Sequence, residues 1–163
     1  MSFAIDISAE SEGWTRIPDI EACVRRAAEA AMRDSEAPPS EISVVLSDDE
    51  HIRELNKHHR NMDKPTNVLS FPPARMKAPA GAPRFLGDIV LAYETVEREA
   101  REEEKPLENH ITHLVVHGVL HLLGYDHEDE EEAEMMERRE RQILSALGIP
   151  DPYAERGSAA NPA

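Results

Sequence analysis

Cysteine is almost missing from this sequence: among 163 residues there is one, Cys23. No disulfide can close within the chain, and a reducing cytoplasm is the expected setting. Aromatic residues make up 4%, so the core has to be aliphatic. No apolar run reaches the roughly 20 residues that span a bilayer. The first residues also lack the basic-then-apolar order of a secretory signal, so no membrane association is expected. Positive charge is scarce as well. The chain holds 18 Lys and Arg against 33 Asp and Glu, a net charge of −15. Taken alone, that balance argues against nucleic acid, whose phosphates are bound by Lys and Arg.

The distribution of charge changes that conclusion. Between Lys57 and Gly87 stand six basic residues (Lys57, Arg60, Lys64, Arg75, Lys77, Arg84) and one acid, Asp63, a local +5. The rest of the chain therefore carries −20. A basic strip on an acidic body can receive an anionic substrate.

The length suits one domain with a real core. Strand patterns fall at residues 3–7, 42–46, 67–71 and 86–92, the last two as an antiparallel pair. Helical spacing marks residues 18–33, 49–59, 94–104, 107–123 and 128–147. Ser47 or Asp48 can cap the second helix. The acids 128–132 fit the first turn of the last helix, where negative charge complements the dipole. Met135 and Met136 read as core. Residues 73–83 read as a flexible connection. The expected fold is an α+β single domain over residues 1–150, a mixed sheet of about four strands flanked by about five helices, with a flexible tail at 151–163.

The chemistry concentrates in His117-Gly118-Val119-Leu120-His121-Leu122-Leu123-Gly124-Tyr125-Asp126-His127. His117 and His121 are four apart and share a helix face. Gly124 can take positive φ, end the helix and let the chain bring His127 to the same point. Three imidazoles and one open position describe a catalytic zinc site. The spacing equals that of metzincin proteases, but Gly118 stands where they carry the catalytic Glu. His113 precedes His117 by one turn. It lies about 12 Å along the axis from His121, so it does not join the same ion. It is either a satisfied core histidine or a group beside the site, where its near-neutral pKa suits proton transfer. Asp126 is either an acceptor for a ligand ring or a helix cap.

Two segments resemble the YbeY family of bacterial metal-dependent endoribonucleases, also described as rRNA maturation factors. One is the run from His113 to His127. The other joins Leu55-Asn56 through Arg60 to Asp63-Lys64-Pro65-Thr66-Asn67-Val68-Leu69-Ser70-Phe71-Pro72. Leu86-Gly87-Asp88-Ile89 fits too, and together these cover most of residues 40–145. The chain departs at His59, where an aromatic often stands, and at Asn67, where Asp is usual. The resemblance implies a cytoplasmic protein with one zinc per chain on His117, His121 and His127, and with Arg60 functional near the metal. It implies action on single-stranded RNA, in 16S rRNA 3′-end maturation and ribosome quality control. The ribosome or its small subunit is then a partner, with a ribosomal protein or an assembly GTPase as further candidates. Arg60 offers a bidentate fork for phosphate. Two other readings stay open. One is a peptidase-like metal hydrolase drawing a carboxylate from Asp88 or Glu94; the other is a non-catalytic zinc-containing assembly factor.

Overall fold

A computed structural model describes residues 3–33, 40–73, 84–125 and 128–153. The strands are β1 (Phe3–Ala9), β2 (Ser40–Ser47), β3 (Val68–Phe71) and β4 (Arg84–Ala92). The helices are α1 (Ile20–Arg33), α2 (Asp49–Arg60), α3 (Tyr93–Glu102), α4 (Leu107–Leu122) and α5 (Glu130–Ala146). The sheet order is β1-β2-β4-β3, with β1, β2 and β4 parallel and β3 antiparallel to β4 at one edge. This is the expected α+β domain with a four-stranded mixed sheet. The connection 74–83 lies outside the described residues.

Period-two alternation sorts the strand residues onto two faces. Ile42, Val44 and Leu46 of β2, with Ile89 and Leu91 of β4, join the larger core beneath α1 and α4. Val45, Leu69, Val90 and Ala92 face the other way and meet Ile52 and Leu55 of α2. The sheet is thus covered on both sides, and α4 is enclosed by the sheet, α1, α3 and α5. Ten of the sixteen residues of α4 are buried, His110 and His113 among them, whereas His117 and His121 are half-buried on its open side.

Local chemistry accounts for several boundaries. Asp48 caps α2 by accepting the His51 backbone N–H at 2.8 Å. The N-cap of α5 is Asp129, which accepts from Glu132 N at 2.8 Å. That role does not fall to Asp126, which lies outside the described residues. Pro18 and Asp19 form a turn before α1 rather than its first residues; Asp19 has φ 53°. An unanticipated 3-10 turn, Glu12–Arg16, buries Trp14 completely. Its indole N–H donates to the Ser47 carbonyl at 2.8 Å, and its ring meets Tyr93 edge-on at 5.4 Å. Met136 is core as expected, but Met135 is 59% exposed, because consecutive helix positions point about 100° apart.

The end of the described chain is tied back. Asp151 pairs with Arg141 at 3.1 Å and caps Tyr153 N at 2.8 Å. Tyr153 then reaches Glu140 of α5. Residues 151–153 therefore pack on the domain, and the rest of the expected tail, 154–163, lies outside the described residues. Among the described residues no helix is long and apolar enough to cross a membrane.

Candidate active site

The two i, i+4 histidines of α4 do converge. His117 Nε2 and His121 Nε2 stand 3.1 Å apart. Two nitrogens bound at zinc–ligand length in tetrahedral geometry lie about 3.3 Å apart, so this pair already has chelating separation. The other ring nitrogens are engaged. His121 Nδ1 lies 3.1 Å from the Tyr125 carbonyl, to which it donates. His117 Nδ1 lies 3.4 Å from Glu140 Oε1. A proton on each Nδ1 leaves both Nε2 lone pairs facing the same point, the usual preparation of imidazole for metal. The pair fits zinc on separation and donor chemistry. His127 and Asp126 lie outside the described residues, and no third donor stands beside the pair among the described ones.

Gly124 does what its type suggested. Its φ is +109°. Gly124 N donates to His121 O at 3.1 Å and Tyr125 N to Leu120 O at 3.0 Å, the two bonds of a Schellman stop. The same turn delivers the Tyr125 carbonyl to His121, so ending the helix and orienting a candidate ligand are one local event.

Gly118 explains the missing protease base. A Cβ there would meet Ile89 Cγ2 at 3.1 Å and Ser70 Oγ at 3.2 Å. Ser70 Oγ donates to the Gly118 carbonyl at 3.3 Å. This position packs α4 closely onto the sheet, and any side chain there would need Ile89 and Ser70 to give way by a few tenths of an ångström.

Arg60 shares a cleft of about 460 Å³ with His117 and His121; Asn67, Ser70, Pro72 and Glu128 complete much of its wall. Arg60 closes the last turn of α2, and Asn61 follows as cap with φ 56°. Buried Asn56 donates to Lys64 O at 2.9 Å, and Met62 N bonds back to Asn56 O, so the loop after Arg60 is pinned. The His59 ring packs on Phe71 at 4.9 Å and braces α2 against β3. Glu128 precedes the helix, which begins at Glu130. It therefore lines the cleft instead of serving the α5 dipole, and it is the carboxylate among the described lining residues. Asp88 and Glu94 are not among them; Glu94 instead accepts the Asp49 backbone N–H at 3.0 Å.

His113 is placed elsewhere. It is buried, and its Nε2 donates to Glu140 Oε1 at 2.7 Å. Burial holds its imidazole below the ordinary value even though Glu140 pulls the other way. It is not among the cleft-lining residues. Glu140 itself is completely buried. Burial would raise its carboxyl, but hydrogen bonds from His113 and His117 prevail and hold it at about 2. A second, half-buried network repeats the pattern. Burial would raise Glu99 too, and hydrogen bonds from His110 Nε2 (2.8 Å) and Asn67 Nδ2 (2.9 Å) more than offset this and lower it.

The structural roles of Glu140, Glu128 and Asn56 were not read from the sequence. Glu140 had a signal: with Met136, Ile143 and Leu144 it falls on the buried face of α5, an acid inside an apolar stripe. Asn56 sits likewise one turn after Ile52.

A family model described as Endoribonuclease YbeY matches residues 5–148. A curated relative of that name from Rhodopseudomonas palustris is 55% identical over 152 residues, spanning 91% of this chain and 80% of its own. Another, from Bradyrhizobium diazoefficiens, is 51% identical over 156 residues, spanning 93% and 85%. A Thermotoga maritima protein solved in solution shares the fold with a TM-score of 0.55 and 27% identity, covering 91% of this chain and 97% of its own. From Ile5 to Gly148, this chain belongs to the YbeY endoribonuclease family.

Proposed function

We propose that the protein is a zinc-dependent endoribonuclease specific for single-stranded RNA, acting in the cytoplasm in 16S rRNA 3′-end maturation and ribosome quality control. The observation that carries the reading is the shared cleft of Arg60, His117 and His121. It joins a phosphate-binding cation to an imidazole pair with chelating separation. His117, His121 and His127 hold one zinc per chain. When bound, zinc supplies Lewis acidity toward a phosphoryl oxygen and toward water. Arg60 presents its guanidinium fork to the scissile phosphate and offsets the charge that builds during displacement. Glu128 takes the proton from the attacking water, the base that Gly118 cannot provide. Its carboxylate also disfavours any anion not seated on Arg60. Nucleobases can be splayed out along an open cleft only when unpaired, which supports a single-stranded substrate. The basic strip around residues 57–64 steers the strand toward the cleft, while the acidic remainder repels it elsewhere. The small ribosomal subunit is the partner this reading favours, with a ribosomal protein or an assembly GTPase as docking partner.

The test is cleavage of a defined RNA, part single-stranded and part duplex, by metal-analysed protein beside Arg60→Ala and Glu128→Gln. Cuts are expected in the unpaired part alone. Each variant should keep one zinc and lose about 10²-fold or more in rate. Normal cleavage by a zinc-loaded Arg60→Ala protein would refute the phosphate role.

A further inference from the structure

We propose that Glu140 is the positioning residue of the metal centre, with Tyr153 and His113 as the two groups that hold it. The carboxylate fixes His117 as the Nδ1–H tautomer and so presents a bare Nε2 beside that of His121. This rests on the zinc reading above, but its core is a statement about hydrogen-bond geometry in the protein itself.

Four distances carry it. Glu140 Oε1 lies 2.7 Å from His113 Nε2 and 3.4 Å from His117 Nδ1. The Tyr153 hydroxyl lies 3.0 Å from Oε1 and 3.0 Å from Oε2. An ionised carboxylate has no proton to give, so every group facing it must be a donor. His113 must then carry its proton on Nε2. Its Nδ1 is correspondingly left as a buried atom with no partner among the described residues. By the same rule His117 must carry its proton on Nδ1, and its Nε2 points at His121 Nε2, 3.1 Å away.

Burial gives the arrangement its stiffness. Glu140 has no exposed surface, so water cannot replace a missing donor. Its backbone is fixed by α5, between Met136 and Ile143, which are both core. Tyr153 comes from the segment folded back after α5, where Asp151 caps its N–H and the Arg141 guanidinium lies 5.3 Å over its ring. The C-terminal segment thereby latches the carboxylate that orients a ligand of α4. His113 acts here as an anchor, which gives this buried histidine a task without contact to substrate.

The direct test is ¹⁵N NMR of the histidine rings in metal-free wild-type protein at pH 8, together with zinc affinity measured by chelator competition. The expected spectrum shows His117 as the Nδ1–H form and His113 as the Nε2–H form. Glu140→Gln should mix the His117 tautomers and weaken zinc 10- to 100-fold, the usual range for loss of a ligand's outer partner. Tyr153→Phe, which keeps the ring and the carboxylate, should weaken zinc less than Glu140→Gln does. A wild-type spectrum with His117 protonated on Nε2 overturns the proposal without any variant, so it stays testable if Glu140→Gln does not fold. Unchanged zinc affinity in a folded Glu140→Gln protein overturns it as well. Wild-type protein that shows the expected tautomers but binds no zinc would instead sink the zinc reading.

Discussion

The backbone at Gly124 offers a quantitative check on the link between helix end and metal site. Its φ of +109° lies well beyond the left-handed minimum near +57°, and a Cβ there meets nothing within 4 Å. The cost of Gly124→Ala is therefore conformational, without a steric part. A left-handed L-residue costs about 1–2 kcal/mol, and this φ puts the strain at about 2. The reduced entropy of the unfolded chain offsets about 0.4–1 kcal/mol, leaving a net loss of about 1–1.5. For a domain of this size that is a fall in Tm of about 3–5 °C by calorimetry. Gly148 provides a matched control. It ends α5 through the same pair of bonds, Gly148 N to Ser145 O and Ile149 N to Leu144 O, with φ +78° and open space around it. Closer to the minimum, Gly148→Ala should cost about half as much strain, a net loss near zero. Strain at 124 also displaces the Tyr125 carbonyl that orients His121, so zinc affinity should fall about 10-fold. Equal Tm changes for the two variants, or a gain at 124, would refute the reasoning.

Three further outcomes follow from packing and charge. Gly118→Val should lose about 1–3 kcal/mol in chemical denaturation, because the contacts at 3.1 and 3.2 Å leave no room for a branched side chain; Gly118→Glu should gain no peptidase activity. Asn56→Ala removes the donor to Lys64 O inside a buried site and should cost about 1–3 kcal/mol, with zinc content unchanged. Glu99 has a depressed folded-state pKa, so its stabilising contribution is present above its ordinary value of 4.5 and disappears as pH falls through the lower, folded value. The stability gap between wild type and Glu99→Gln should therefore shrink as pH drops from 7 toward 3, and a gap that widens would contradict the assignment.

The sequence carried the local part of the design. Four-residue spacing placed His117 and His121 on one face, and a glycine after the helix announced its end. Apolar, β-branched runs at 42–46 and 86–92 announced strands. What it did not carry was contact between distant segments. Arg60 and His117 are separated by the whole of β3 and β4, and only a resemblance brought them together before the fold did. Nothing local marked Trp14 as core, because its partners, Ser47 and Tyr93, lie far along the chain. Glu140 was hidden by company: it sits in a run of charged residues, 137–141, and its four neighbours in that run are exposed or half-buried. Glu128 was misjudged by two residues of helix boundary, which separate a dipole-facing acid from a cleft-facing one.

The most direct test of the central claim couples metal content to RNA cleavage. Protein stripped by chelator should lose cleavage of unpaired RNA and regain it at one zinc per chain, whereas folded His121→Ala protein should recover neither zinc nor cleavage. Undiminished cutting by protein shown to be metal-free would contradict the account, as would a fully zinc-loaded, folded protein that leaves unpaired RNA intact.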